Sequence, residues 1–299
     1  MRTEHEQITG FVEELERRGV SHNTVRNYRQ DLLQFVPWFE MTSGDEFSAE
    51  NVTPTDVRQF RSYQQANRGL KPATVNRRIA SLRSFFEWAR GQKLVTINPT
   101  TDIPQVESQR LAPRSLSRAE LNRLTREVEK DALGGVHLGL RNLAIIQMLR
   151  YTGVRVQELC DLKLEDIEMG ERKGTLTVRS GKGQKYRQIP LNSEMRKALN
   201  DYLEVRPRRG DEELFLGQRG LLSTEAVRRV ILKYATRAGV DGVTPHVFRH
   251  SFGRGLVDAG VDLVTVAALL GHSKIETTMV YTQPRPEDLE KAVEKLEAS

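Results

Sequence analysis

Apolar side chains recur every three or four positions through most of the chain, the period of helices buried along one face. Ile8, Phe11, Val12 and Leu15 predict an amphipathic helix over Glu4 to Arg18, ended by Gly19. Tyr28, Leu32, Phe35, Val36 and Phe39 trace a longer helix after the restart at Ser21-His22-Asn23-Thr24. Pro37 is expected to bend or break it late, because proline lacks the amide that the helix ladder needs. After a polar loop from Thr42 to Ser48, Thr53-Pro54 starts a third helix reaching about Ala66. Lys71-Pro72 starts a fourth, with Val75, Ile79, Leu82, Phe85, Phe86 and Trp88 on its buried side. Four helices without a strand predict an all-α bundle with short connections.

The periodicity then stops. Asn98 to Pro113 holds three prolines and no repeat, so the chain is expected to divide there, giving residues 1–105 and 114–299 with a linker over 106–113. Beyond it, Leu116-Ser117 with Glu120 is a capping-box start, and Leu140 to Leu149 is an apolar helix that must be deeply buried. Gly174 to Leu191 alternates as two strands joined by a Gly-rich turn. Glu194 to Glu204 is an amphipathic helix, Leu214-Phe215-Leu216 a short strand, and Ser223 caps a helix from Thr224 to Ala238. Thr244 with Pro245 starts another, Val261 to Leu270 follows, and Gly271 ends it. Ser273 with Glu276 predicts a short helix carrying Tyr281, and after Pro284 and Pro286 a tail helix spans 287–297. The expected fold is therefore mainly α with a small antiparallel β-hairpin: an N-terminal helical bundle and a C-terminal mixed α+β domain.

Composition narrows the class. The chain has 299 residues, enough for two domains with cores of their own. Lys and Arg total 46 against 40 Asp and Glu, giving +6 and a pI near 9.4, a mild excess that suits an anionic partner. The single cysteine, Cys160, excludes an internal disulfide framework and fits a reducing compartment. No apolar run approaches the ~18 residues of a membrane span. The start MRTEHEQITG has no apolar signal core, so a cytosolic protein is expected.

Candidate chemistry gathers between Thr244 and Tyr281. His246, Arg249 and His250 fall at helical spacing on one side, His272 follows the Gly271 stop, and Tyr281 ends the run. Singly, each is more often a packing or surface residue. Together, Arg and His can neutralise the non-bridging oxygens of a phosphate, and Tyr can serve as a covalent nucleophile. Upstream, YTGVRVQEL places Arg155 three residues before Glu158, and Lys182 sits between Gly181 and Gly183 in GKGQKYR. HExxH and paired-cysteine spacings are absent, as is a Walker phosphate loop, so neither metal nor nucleotide cofactor is expected.

The ordered set HxxRH, GH and Tyr, with TGxRxxEL and GKGxKxR before it, closely resembles the tyrosine recombinase and integrase family, most of all its Xer-like members. The resemblance covers essentially the whole chain. It implies a core-binding, SAM-like helical domain that clamps DNA opposite a catalytic domain. It implies that Arg155, Arg249 and His272 stabilise the phosphate and that Glu158 orients its neighbours. Lys182 would protonate the leaving 5′-oxygen, His246 would assist proton transfer, and Tyr281 would attack phosphorus to leave a 3′-phosphotyrosine. His250 would brace the site. It further implies double-stranded DNA as partner, a homo- or hetero-tetramer on two duplexes, and a Holliday-junction intermediate. Arg26, Arg29, Lys71, Arg77, Arg78, Arg83, Lys185, Arg187, Arg228 and Arg229 are expected along DNA phosphates, which supply affinity and register. Two other readings share these residues: a type IB topoisomerase, which would need no preferred site, and a DNA-binding regulator without cleavage.

Overall fold

Helix starts are set by side chains that cap free backbone amides. Ser21, Thr53, Ser117, Asn192, Ser223, Thr244 and Asp262 each accept a hydrogen bond from the amide three residues on. A computed structural model describes residues 5–107, 113–179, 186–208, 210–218, 220–284, 288–290 and 293–294. The chain separates into two compact units, Met1–Arg110 and Leu111–Ser299.

The first unit packs α1 (Glu6–Arg17), α2 (His22–Ser43), α3 (Pro54–Ala66) and α4 (Pro72–Gly91) around an aromatic core. Phe35 meets Phe60 edge-on at 5.0 Å between ring centroids, and Phe85 meets Phe86 at 5.1 Å. Phe47, in the stretch that reads as a polar loop, is fully buried against Phe35, Phe39 and Phe85. Pro37 does not break α2, which continues to Ser43 because Phe35, Trp38 and Phe39 are all buried around it. After α4 the chain stays on the bundle through the first part of the proline-containing stretch. Asn98, Thr100 and Ile103 are buried on the bundle, and Asn76 exchanges two hydrogen bonds with the Val106 backbone at 2.8 and 2.9 Å.

The second unit is built on α6 (His137–Thr152), whose Ala144, Ile145, Ile146, Met148 and Leu149 are wholly buried. It follows α5 (Arg118–Ala132) and precedes α7 (Val156–Asp161). Then come β1 (Ile167–Met169), β2 (Gly174–Arg179) and β3 (Tyr186–Pro190), an antiparallel sheet in that order. Leu176 lies opposite both Ile167 and Ile189, so the sheet turns one apolar face to the core. The chain closes with α8 (Ser193–Val205), α9 (Thr224–Arg237), α10 (Pro245–Asp258) and α11 (Leu263–Leu270). Two short 3-10 turns follow, Ile275–Thr277 and Met279–Thr282.

The structure corrects two sequence expectations here. Leu214-Phe215-Leu216 is not a strand: the guanidinium of buried Arg206 takes the carbonyls of Asp211, Glu213 and Leu214, removing acceptors that a strand partner would use. The Ser273–Glu276 pattern does not cap an α-helix, and Tyr281 is carried by the second 3-10 turn instead. The expected tail helix lies largely outside the described residues.

Asp31 is the charged group buried deepest in the bundle. It accepts from Ser81 Oγ at 2.7 Å, pairs with Arg77, and lies 3.8 Å from Arg78 Nε. Asp31→Asn is expected to lower the stability of the first unit by about 2 kcal/mol, since it removes charge-assisted bonds at a site water cannot reach. Both tryptophans, Trp38 and Trp88, belong to this bundle, so urea unfolding followed by tryptophan fluorescence measures that loss directly.

Candidate active site

Two glycine-ended helices create the acceptors around which the site forms. Gly153 after α6 and Gly271 after α11 both hold positive φ, at 59° and 66°. At the end of α11 the amides of Gly271 and His272 bond back to the carbonyls of Ala268 and Ala267, a Schellman closure that fixes where His272 begins. The carbonyls that such endings leave open face Arg249 rather than water. Its Nη1 donates to Gly153 O at 2.7 Å and its Nη2 to Leu270 O at 2.6 Å. Arg249 is only 3% exposed, and burial, then the nearby Arg155, bring its pKa down to about 10, so it remains a cation at neutral pH. Gly153 also has no room for a side chain, because a Cβ there would stand 2.4 Å from Phe252 Cδ1.

Glu158 organises the other arginines. Its carboxylate accepts the Arg155 amide at 2.7 Å, which caps α7, and the Arg155 guanidinium at 2.7 Å. Arg187 on β3 binds it through both terminal nitrogens at 3.0 and 2.7 Å and donates Nε to Leu269 O at 2.9 Å. Burial alone would raise the Glu158 pKa, but the hydrogen bonds from Arg187 and Arg155 outweigh it and hold the carboxyl at about 2. One carboxylate thus pairs with two guanidinium groups, and Arg249 adds a third positive charge held only by carbonyls, leaving a cationic site suited to an anion.

The histidines and tyrosine close this site. His246 and His250, on successive turns of α10, meet edge-on with ring centroids 4.4 Å apart. His250 in turn meets the Tyr281 ring at 5.5 Å, and the His272 ring stacks on Tyr281 at 6.4 Å. His272 Nδ1 is hydrogen-bonded to buried Thr278 Oγ1 at 2.8 Å. Tyr281 lies over Gly253 so closely that a Cβ there would be 2.7 Å from the ring. Burial raises the Tyr281 pKa, partly opposed by Arg249 and Arg155, so the phenol is neutral at neutral pH. Burial likewise lowers all three histidines, His250 and His272 to about 4, aided by the neighbouring arginines.

Phage integrase family sequence features match residues 114–288, and the phage integrase N-terminal SAM-like domain matches residues 8–93. The chain belongs to the phage integrase family. Its relatives include the tyrosine recombinase XerC of Herpetosiphon aurantiacus, 35% identical over 89% of this chain and 86% of that protein. Tyrosine recombinase XerA of Pyrococcus furiosus is 32% identical over 97% of this chain and 93% of its own. The fold is also that of XerH site-specific recombinase in a post-cleavage complex with a palindromic difH substrate, with TM-score 0.78 and 24% identity, covering 96% of this chain and 85% of that one.

In this integrase-family chain the structure brings together Arg155, Glu158, His246, Arg249, His272 and Tyr281, with His250 between His246 and Tyr281. Lys182 and Lys185 lie outside the described residues. Arg187 departs from its expected place on DNA phosphates: two nitrogens are committed to Glu158 and one to Leu269 O, so it supports the site from within. Arg77 and Arg78 turn to Asp31 and Gln64, and Arg83 to the carbonyls of Thr100 and Ile103. Arg26, Arg29, Lys71, Arg228 and Arg229 are exposed. Sequence reasoning missed Thr278 and Gly253. Gly253 was accessible from spacing, being three residues beyond His250 on the same face of α10.

The lowered histidines make the second unit sensitive to acid. His250 and His272 protonate at about 4 when folded, below the 6.5 of an unperturbed imidazole. Between those values the unfolded chain binds more protons, so stability is full above about pH 6.5 and falls as pH drops towards 4. Imidazole proton NMR should give midpoints near 4 for both residues, with the urea midpoint of the second unit falling across that window. Midpoints near 6.5 would contradict the burial described.

Proposed function

We propose that this chain is a site-specific DNA recombinase that cuts and rejoins double-stranded DNA through a covalent bond to Tyr281. The observation that carries the reading is the meeting of Tyr281 with two histidines and the arginine set inside one unit. A neutral phenol is a weak nucleophile, so a proton must leave as the Tyr281 oxygen bonds to phosphorus. His246 and His250, held neutral, are suited to take part in that transfer. The P–O5′ bond breaks as the P–O(Tyr281) bond forms, giving a 3′-phosphotyrosine and a free 5′-hydroxyl. Lys182, in the connection between β2 and β3, supplies the proton to the leaving oxygen. Arg155, Arg249 and His272 stabilise charge on the non-bridging oxygens, and Glu158 holds Arg155 in place. One phosphodiester is exchanged for another bond of similar energy, so attack by the 5′-hydroxyl of a second strand reverses the chemistry without ATP.

Strand exchange between two duplexes requires two cuts on each, which assigns four copies of the chain to the assembly and a Holliday junction between the two rounds. Leu289 and Val293 in the tail are exposed apolar side chains, consistent with contact between neighbouring copies. A DNA substrate and the lone thiol of Cys160 suit the cytoplasm. The exposed Arg26, Arg29, Lys71, Arg228 and Arg229, with Lys185, supply phosphate contacts.

Randomly nicked genomic DNA, which lets the cut strand diffuse away, should trap protein–DNA adducts that survive denaturation. Wild type should yield adducts whose ends converge on one sequence, and Tyr281→Phe none. Arg155→Ala should slow adduct formation by about 100-fold or more, as expected for loss of one oxyanion donor. Scattered ends would indicate relaxation of DNA without a preferred site, and adducts from Tyr281→Phe would refute the assigned nucleophile.

A further inference from the structure

Arg254 stands one turn beyond His250 on α10 and makes a set of contacts that no step above employs. Its Nε donates to Asp258 Oδ1 at 2.7 Å, an i,i+4 pair that straightens the side chain along its own helix. Its Nη1 donates to Gln283 O at 2.9 Å and approaches Tyr281 O at 3.4 Å. Its Nη2 reaches Asp288 Oδ2 at 2.5 Å. The Arg254 side chain is 14% exposed and Asp288 24%, so the bonds to the tyrosine segment and its tail are partly shielded from water and salt, while Asp258 is open to solvent.

These contacts bear on Tyr281 because its ring is held by packing on α10 and α11, while the backbone that carries it has few hydrogen bonds of its own. The segment has only 3-10 turns, whose hydrogen bonds are weaker than those of an α-helix. Upstream of the tyrosine, Thr278 is tied to His272. Downstream, Arg254 ties the backbone of Tyr281 and Gln283, and then Asp288, to the helix that also carries His246, Arg249 and His250. Gly253, immediately before it, is the floor on which the Tyr281 ring lies. One guanidinium thus registers the tyrosine segment against the helix bearing three of the site's side chains.

We propose that Arg254 is a positioning residue for Tyr281: it clasps the chain after the tyrosine to α10 and so sets the phenol's distance from the phosphate site. This rests on Tyr281 being the nucleophile. Lysine at position 254 could satisfy one acceptor but not several at once, because it lacks the planar fork.

Two measurements on the full-length chain test the clasp. In the free protein, nitration of Tyr281 by tetranitromethane, mapped by peptide mass, should be slow in wild type. It should rise about tenfold in Arg254→Ala and less in Arg254→Lys, because a released ring spends more time exposed. On randomly nicked genomic DNA, single-turnover adduct formation by Arg254→Ala should slow on the order of 10–100-fold, the scale of a misplaced reactive group, while DNA affinity and the thermal midpoint stay near wild type. Unchanged nitration and rate would overturn the proposal. So would a slower rate that follows lost DNA affinity or a lowered thermal midpoint, since that describes general destabilisation. Should wild type form no adduct, the recombinase reading fails, and the nitration comparison alone still decides whether Arg254 holds Tyr281.

Discussion

A guanidinium taken out of water must find acceptors for its donors, and that requirement shapes the second unit. Arg249 satisfies it with the carbonyls of Gly153 and Leu270, which are open only because glycine ends α6 and α11 in left-handed turns. Arg187 satisfies it with Glu158 and the carbonyl of Leu269. The negative ends of helix dipoles therefore stand where counter-charges would otherwise be needed. Carbonyl dipoles stabilise the cations without neutralising them, and a single carboxylate leaves the cluster net positive. The result is a rigid cationic site assembled before any phosphate arrives.

That economy of counter-charge explains why the site is suited to phosphoryl transfer. Donors already fixed by the fold need not reorganise as charge builds on the transferring group. The same burial works against the tyrosine, whose phenol is made less acidic, and keeps the histidines neutral. In the proposed mechanism this is a division of labour: the arginines and His272 serve the phosphate, and His246 and His250 serve the proton.

Much of this was legible in the sequence where local rules are strong. The caps at Ser117, Ser223 and Thr244, and the glycine stop at Gly271, set the helices as expected, and residue spacing gathered His246, Arg249 and His250. What escaped was decided by partners far apart in the chain. Arg187 reads as a cation for DNA phosphates, yet it turns inward to Glu158, on another element, which takes both of its terminal nitrogens. Leu214 to Leu216 reads as a strand, but Arg206 takes its acceptors. Phe47 sits among polar residues and is buried because α2 and α4 leave a place for an aromatic ring. The capping pattern at Ser273 was outweighed by the Schellman closure before it, which fixes the direction in which the chain leaves α11.

In the proposed mechanism Glu158 and Arg187, joined by two hydrogen bonds, act as one unit in holding Arg155 for the phosphate. A double-variant cycle tests it most directly, with adduct formation compared among wild type, Glu158→Gln, Arg187→Ala and the pair combined. If the two residues form one unit, the combined variant will be slowed no more than the slower single variant. If instead the two penalties multiply, Arg187 serves something other than Glu158, and the arrangement described for the site is wrong.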